Sequence, residues 1–186
     1  MRAQRPGESA LLLLDAIDLL SRAQISYAVI GAMAAAVHGA VRASMDADAL
    51  LAVPTHELRE LEQRFGAAGF GTELRFGDPD DPIGAVLTLT DPFDNRVDLL
   101  VGLRGLDPEA FSRVFDVRFQ GGQVRVIGLE DFVAMKLFAH GPQDVEDANV
   151  ALAAAGRTLD VELLKRLTAR YGRQALDALT KLLAQP

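Results

Sequence analysis

Two rhythms of apolar positions run along this chain. Residues 8–23, ESALLLLDAIDLLSRA, have the length and spacing of a helix. ISYAVIG (25–31) predicts a buried strand ending at Gly31, and AMAAAVHGA (32–40) a short helix closed near Gly39. MDADALLAV (45–53) predicts a strand stopped by Pro54, and 55–69 a helix with Thr55 as N-cap and Leu58, Leu61 and Phe65 on one face. FGTELRF is a weaker strand pattern, DPDDP a loop, and 83–91 and 95–102 are strands about the turn residues PFDN. Residues 114–128 predict a hairpin about Gly121-Gly122. From 128 on the pattern is helical, over 128–140, 143–155, 160–171 and 173–184. The expected fold class is α/β, of the α+β kind: a mixed core over 1–127 and a helical part over 128–186 packed on it.

Composition narrows the chemistry. The 186 residues are 49% apolar, ample for a core. The longest apolar runs are broken by charge, as in LLLLDAIDLL, so no stretch of about 20 apolar residues predicts a membrane span. The start, MRAQRPGESA, lacks the apolar region of a secretory leader, and the expectation is a cytoplasmic protein without membrane partners. With no cysteine and only three histidines, any metal should be held by oxygen, which favours Mg²⁺ or Mn²⁺. Net charge is −7 but uneven: 13 basic and 23 acidic residues give −10 over 1–150, and six against three give +3 over 151–186. A globally acidic chain is a poor generic nucleic-acid binder, though the basic tail leaves room for a local acceptor site.

Asp46 and Asp48 stand out because strands disfavour aspartate and like charges repel. Alternate strand residues face the same way, so both carboxylates converge, and a divalent cation would remove the conflict. The alternative is a solvent-facing strand end with scattered charge. RVDLLV then places Asp98 in an otherwise apolar run, where a charge needs a partner or a metal. If the two strands are neighbours, three carboxylates meet, which suits the two-metal clamp of phosphoryl and nucleotidyl transfer. A salt bridge with Arg96 or another arginine is the plainer reading of Asp98. Gly31 opens a helix, where backbone N–H groups receive phosphate. Arg42 and Ser44 precede the aspartates and could serve triphosphate oxygens, unless Arg42 simply pairs with Asp46 or Asp48.

In order and spacing, these residues resemble the signature of the nucleotidyltransferase superfamily, in particular its AbiEii/MenT-like toxin branch and uncharacterised relatives. Arg42, Ser44, Asp46 and Asp48 match an Arg-x-Ser/Thr-x-Asp-x-Asp run that follows a Gly turn and helix. RVDLL resembles the third-carboxylate strand, and GLEDFVAMKLFAHGPQDVEDANVAL the later pattern, with Lys136 and then Asp144-x-x-Asp147. The resemblance covers about residues 25–155. It implies a mixed sheet flanked by helices and transfer of a nucleoside monophosphate from a nucleoside triphosphate to an acceptor such as an RNA end or a protein hydroxyl. It also implies that Asp46, Asp48 and Asp98 bind metal, with Asp98 helping to deprotonate the acceptor. Gly31, Ala32 and Ser44 would line the phosphate site with Arg42, Lys136 would contact the nucleotide, and Asp144 would stand across the cleft. An antitoxin is the partner such a toxin-like enzyme would have.

Three positions depart from that pattern. Ala32 stands where Gly or Ser is usual, Ala47 where a larger apolar residue is usual, and FAHGPQ lacks the basic residue that relatives place before the acidic pair. His140 would substitute for it or cap its helix. Lys136 also reads as a lysine lying beside Glu130 or Asp131. Ala32 and the missing base favour a second reading, an inactive nucleotidyltransferase-fold protein that binds a nucleotide or a partner. In the tail, Leu164, Leu167 and Tyr171 predict a core-facing stripe, and Arg166, Arg170 and Arg173 a basic one, either solvated or a docking surface for RNA or an acidic partner.

Overall fold

A computed structural model describes residues 1–184 of the chain. Helix α1 (Ser9–Arg22) is followed by β1 (Tyr27–Val29), α2 (Gly31–Val37), β2 (Asp46–Leu51), α3 (Leu58–Ala67), β3 (Gly71–Phe76), β4 (Ala85–Thr90) and β5 (Arg96–Val101). The hairpin β6 (Phe115–Phe119) and β7 (Gly122–Val126) leads into α4 (Leu129–Ala139), α5 (Pro142–Ala155), α6 (Val161–Arg170) and α7 (Arg173–Leu183). The seven strands form one mixed sheet in the order β3-β4-β5-β2-β1-β7-β6. β2 pairs with β5, and β1 with β7, in parallel; the other neighbours are antiparallel. This is the mixed sheet flanked by helices that the sequence leads one to expect.

Period-two burial separates the two sides of the central strands. Ala47 and Ala49 of β2, and Val97 and Leu99 of β5, are buried, whereas Asp46, Asp48, Arg96, Asp98 and Leu100 alternate with them on the other side. Helix α1 lies on β2, β5 and β7 with Leu12, Leu13, Ala16, Ile17 and Leu20 buried, and α3 packs on β3 and β4. Helix α4 packs against α5, α6 and α7, and buried residues of α4 to α7 share one apolar cluster with those of the sheet. Among the described residues, no helix is long and apolar enough to cross a membrane.

Some local details differ from the pattern reading. The β6–β7 turn is centred on Gln120 and Gly121, both at positive φ, with Phe119 opposite Gly122. Gly122 is a strand residue instead, and a side chain there would press on Leu14. Thr55 starts a 3₁₀ turn and makes no side-chain cap; Glu57 precedes α3. In α6, Leu164 and Leu167 are buried and Tyr171 is half-buried, as the stripe requires. Arg170 is not free, however: its Nε and Nη2 donate to the carbonyls of Gly105 and Leu106, at 3.0 and 3.3 Å.

Candidate active site

The parallel register of β2 and β5 sets Asp46 opposite Arg96 and Asp48 opposite Asp98. Two carboxylates thus stand side by side on the same side of the sheet, with Asp46 one step along. One buried serine fixes the start of both strands: the Ser9 hydroxyl donates to the Met45 carbonyl and accepts from the Arg96 N–H at 3.0 Å. Across from the pair, β1 ends and α2 opens at Gly31, whose φ is +61°. The Ile30 N–H donates to the Asp48 carbonyl at 3.0 Å, which holds the start of α2 to β2.

Asp48 is the electrostatic centre of this face. Burial pushes its carboxyl up to about 6, Asp98 and Asp46 add to the rise, and Lys136 and Arg42 partly offset it. Among the described residues, no group donates to the side chains of Asp46 or Asp48. Asp98 accepts three bonds. Arg96 grips it with Nε to Oδ1 at 3.1 Å and Nη2 to Oδ2 at 2.9 Å, and the Thr88 hydroxyl donates to Oδ1 at 2.7 Å. The salt bridge with Arg96, the plainer reading of Asp98, is therefore present, and so is the carboxylate neighbour that the alternative required.

A second polar cluster adjoins the first. Lys136 Nζ lies 2.8 Å from Asp144 and 2.9 Å from Asp147. Asp147 is 1% exposed and also takes Arg42 Nε at 3.3 Å and Gln143 Nε2 at 3.0 Å. Burial alone would raise the Asp147 carboxyl, but hydrogen bonds from Lys136 and Gln143, with the charges of Lys136 and Arg42, hold it below the ordinary range. Two alternatives fall here. Arg42 pairs with Asp147 and not with Asp46 or Asp48, because the segment before β2 passes α5. Lys136 pairs with Asp144 and Asp147 and not with Glu130 or Asp131; Asp131 is taken by Arg113 at 2.7 Å.

The remaining expected residues are local in their contacts. The Ser44 hydroxyl bonds the Asp46 backbone, donating to its carbonyl at 3.1 Å. Ala32 is buried in the first turn of α2, and Ala47 is buried in register with Val97. His140 ends α4 in the left-handed region, and its backbone N–H, not its ring, caps the Lys136 carbonyl at 3.0 Å.

Between these clusters lies a cavity of about 210 Å³ lined by Ile30, Gly31, Pro82, Ile83, Leu100, Leu103, Phe132, Met135, Lys136, Phe138, Ala139 and Asp144. Its wall is almost wholly apolar. The rim groups are already occupied, Asp144 by Lys136 and by the Gly141 N–H at 3.3 Å.

A divalent cation is what the resemblance implies for this face. Among the described residues, no three His, Cys, Asp or Glu side chains are arranged to hold a metal as they stand. The donor chemistry nevertheless fits Mg²⁺ or Mn²⁺. It is oxygen only, Asp46 and Asp48 have no partner, and Asp48 carries a charge conflict that a dication relieves. Asp98 alone is withheld, by the Arg96 grip.

No protein-family model matches this sequence, and no curated protein matches it. Solved structures do match in shape. The solution structure of the antibiotic-resistance factor ANT(2'')-Ia superposes with a TM-score of 0.59 at 16% identity, covering 92% of this chain and 94% of that one. The fold is nucleotidyltransferase-like. A crystal structure of ANT(2'')-Ia with adenylyl-2''-tobramycin gives a TM-score of 0.60 at 14% identity over 87% and 98% of the two chains. An antigenic nucleotidyltransferase-like protein from Paracoccidioides brasiliensis gives 0.52 at 14% identity over 98% and 96%.

Pattern reading overlooked Thr88 and the apolar cavity. Thr88 was findable in principle, since AVLTLT alternates and places Thr88 and Thr90 on one side of β4, with Thr88 opposite Asp98. The cavity was not, because its walls come from five separate stretches of chain.

Proposed function

We propose that the protein is a metal-dependent nucleotidyltransferase, moving a nucleoside monophosphate from a triphosphate to an acceptor hydroxyl. The observation that carries this reading is Asp48 in register beside Asp98, with Asp46 on the same side of the sheet and Gly31 facing them. Asp46, Asp48 and Asp98 would hold Mg²⁺ or Mn²⁺, which when bound supplies charge neutralisation at the transferring phosphate. The first-turn N–H groups of α2, at Gly31 and Ala32, have no intrahelical acceptor and suit phosphate oxygens. Ser44 and Arg42 border that position. Lys136, fixed by Asp144 and Asp147, stands at the cavity rim, and the cavity seats the nucleobase.

In the transfer, the acceptor oxygen bonds the α-phosphorus while the bond to the bridging oxygen breaks. Pyrophosphate leaves with that electron pair, and the hydroxyl proton goes to Asp98. The mixed core over 1–127 would supply the carboxylates, while α4 and Asp144 of α5 close one side of the cavity. An RNA end or a protein hydroxyl is the acceptor that the toxin-like run over 42–48 suggests, with an antitoxin as partner. A small hydroxylated molecule is the acceptor class that the ANT(2'')-Ia complex suggests. The test is to incubate the protein with metal and labelled triphosphates, offering total RNA, protein and small polyols in turn. Transfer that Asp48→Asn abolishes supports the reading, and absence of triphosphate binding with metal present removes its basis.

A second reading has one observation in its favour. While Arg96 grips it, Asp98 is not free to take the acceptor's proton, which favours a protein that binds a nucleotide without transferring it. Triphosphate binding with no transfer to any acceptor would select it.

A further inference from the structure

We infer that Arg96 is a resident counter-ion that holds Asp98 until metal and triphosphate arrive together, so that the two ligands bind cooperatively. The inference rests on the metal-site reading of the preceding section. Its starting point is the two-point grip: Nε on Oδ1 at 3.1 Å and Nη2 on Oδ2 at 2.9 Å, the strong, charge-assisted geometry of guanidinium and carboxylate. Thr88 adds a third bond to Oδ1 at 2.7 Å. A carboxylate offers about four acceptor sites, so three are filled.

The grip explains why three carboxylates share a face without forming a metal-holding set. Asp48 lies in register beside Asp98, and the two repel unless a positive group stands between them or on one of them. In the metal-free protein, the guanidinium of Arg96 does this for Asp98. A cation that recruits Asp98 must take an oxygen from that grip, so metal binding alone carries the cost of breaking it. Arg96 can leave without disturbing the strand. Its side chain is 40% exposed against 17% for Asp98, and its backbone N–H is pinned separately by Ser9 at 3.0 Å.

The released guanidinium remains on the side of the sheet where the triphosphate would bind. Phosphate oxygens accept a guanidinium as readily as a carboxylate does. Metal and triphosphate together therefore restore the lost pairing, whereas either alone does not. Linkage makes the coupling reciprocal: each ligand tightens the other by the same factor.

The experiment titrates Mn²⁺ into the full chain, with free Mn²⁺ followed by electron paramagnetic resonance, with and without the non-transferable α,β-methylene analogue of ATP. Wild type should bind Mn²⁺ weakly alone and about tenfold more tightly with the analogue. Arg96→Gln should bind Mn²⁺ alone about tenfold more tightly than wild type and lose most of the enhancement by the analogue. Arg96→Lys, which keeps the charge without the two-point grip, should fall between them. An Arg96→Gln protein whose metal-alone affinity and coupling equal those of wild type overturns the counter-ion role. Wild type binding Mn²⁺ normally while Asp48→Asn does not would, in that event, leave the metal-site reading standing. If neither wild type nor Arg96→Gln binds Mn²⁺ under either condition, both fall together.

Discussion

The carboxylate of Asp48 rests against the bare Cα of Gly31: a Cβ built there would stand 2.0 Å from Oδ2. Gly31 is therefore required twice, for its φ of +61° and for the space that Asp48 occupies. Gly31→Ala should cost about 1–2 kcal/mol through backbone conformation, plus the displacement of Asp48. In an Asp48→Ala background only the backbone part should remain, giving a coupling energy of about 1 kcal/mol or more in a urea-denaturation double-mutant cycle. Additive effects would show that the two residues do not touch in solution.

Asp48 should make the metal-free protein sensitive to pH in a defined sense. Its carboxyl is raised from 3.8 to about 6 in the folded state. The stabilisation tied to its protonated form is complete below the unfolded value and is lost as pH rises through the folded value. Asp48→Asn should therefore be more stable than wild type at pH 7.5 by about 2–3 kcal/mol, and equal to it near pH 4. Denaturation in the presence of EDTA at both pH values measures this, and a gap that does not narrow towards acid would refute it.

The carboxylate pair was legible in the chain because strand periodicity is local: Asp46 and Asp48 must share a side. Their partnership with Asp98 was only conditional, since no local signal sets the register of two parallel strands. Arg42 shows the limit most plainly. Its partner Asp147 lies 105 residues on, whereas the alternative reading paired it with the nearer Asp46 or Asp48. The plainer reading of Lys136, beside Glu130 or Asp131, fails for the same reason, its partners lying beyond the α4–α5 turn. Arg170 sat in a periodic basic stripe, yet the chain turn at Gly105 and Leu106 claims it.

Lys136 should be worth more to stability than its surface-type chemistry suggests. Lys136→Met leaves Asp147 buried with only Arg42 and Gln143, and a broken buried pair costs about 3–5 kcal/mol. Because the Asp147 carboxyl is held low, its contribution is present above the unfolded value and lost as pH falls. The variant should accordingly lose part of the wild-type decline in stability towards acid. A variant within about 1 kcal/mol of wild type at pH 7 would show that the cluster is solvated.

Among the described residues, the charged side chains lining the apolar cavity, Lys136 and Asp144, pair with each other and are not free to read the edge of a base. If it seats the base, ATP, GTP, CTP and UTP with metal should bind within about tenfold of each other by calorimetry, since apolar contacts alone discriminate weakly. Leu100→Trp, which fills the cavity from β5, should weaken all four together. Strong preference for one base, or full affinity in the tryptophan variant, would place the base elsewhere.

The parallel pairing of Asp48 with Asp98 also fixes an order in time. The two residues are 50 apart in the chain, and the β3–β4 hairpin must be made or bypassed before they meet. As the chain is synthesised, α1, α2 and β2 emerge first, and Asp46 and Asp48 then face no like-charged neighbour strand. Only when β5 has emerged can it pair with β2 and β4, bringing Asp98 into place and Arg96 with it. The strand that brings the like charge thus carries its own neutralising group two residues ahead.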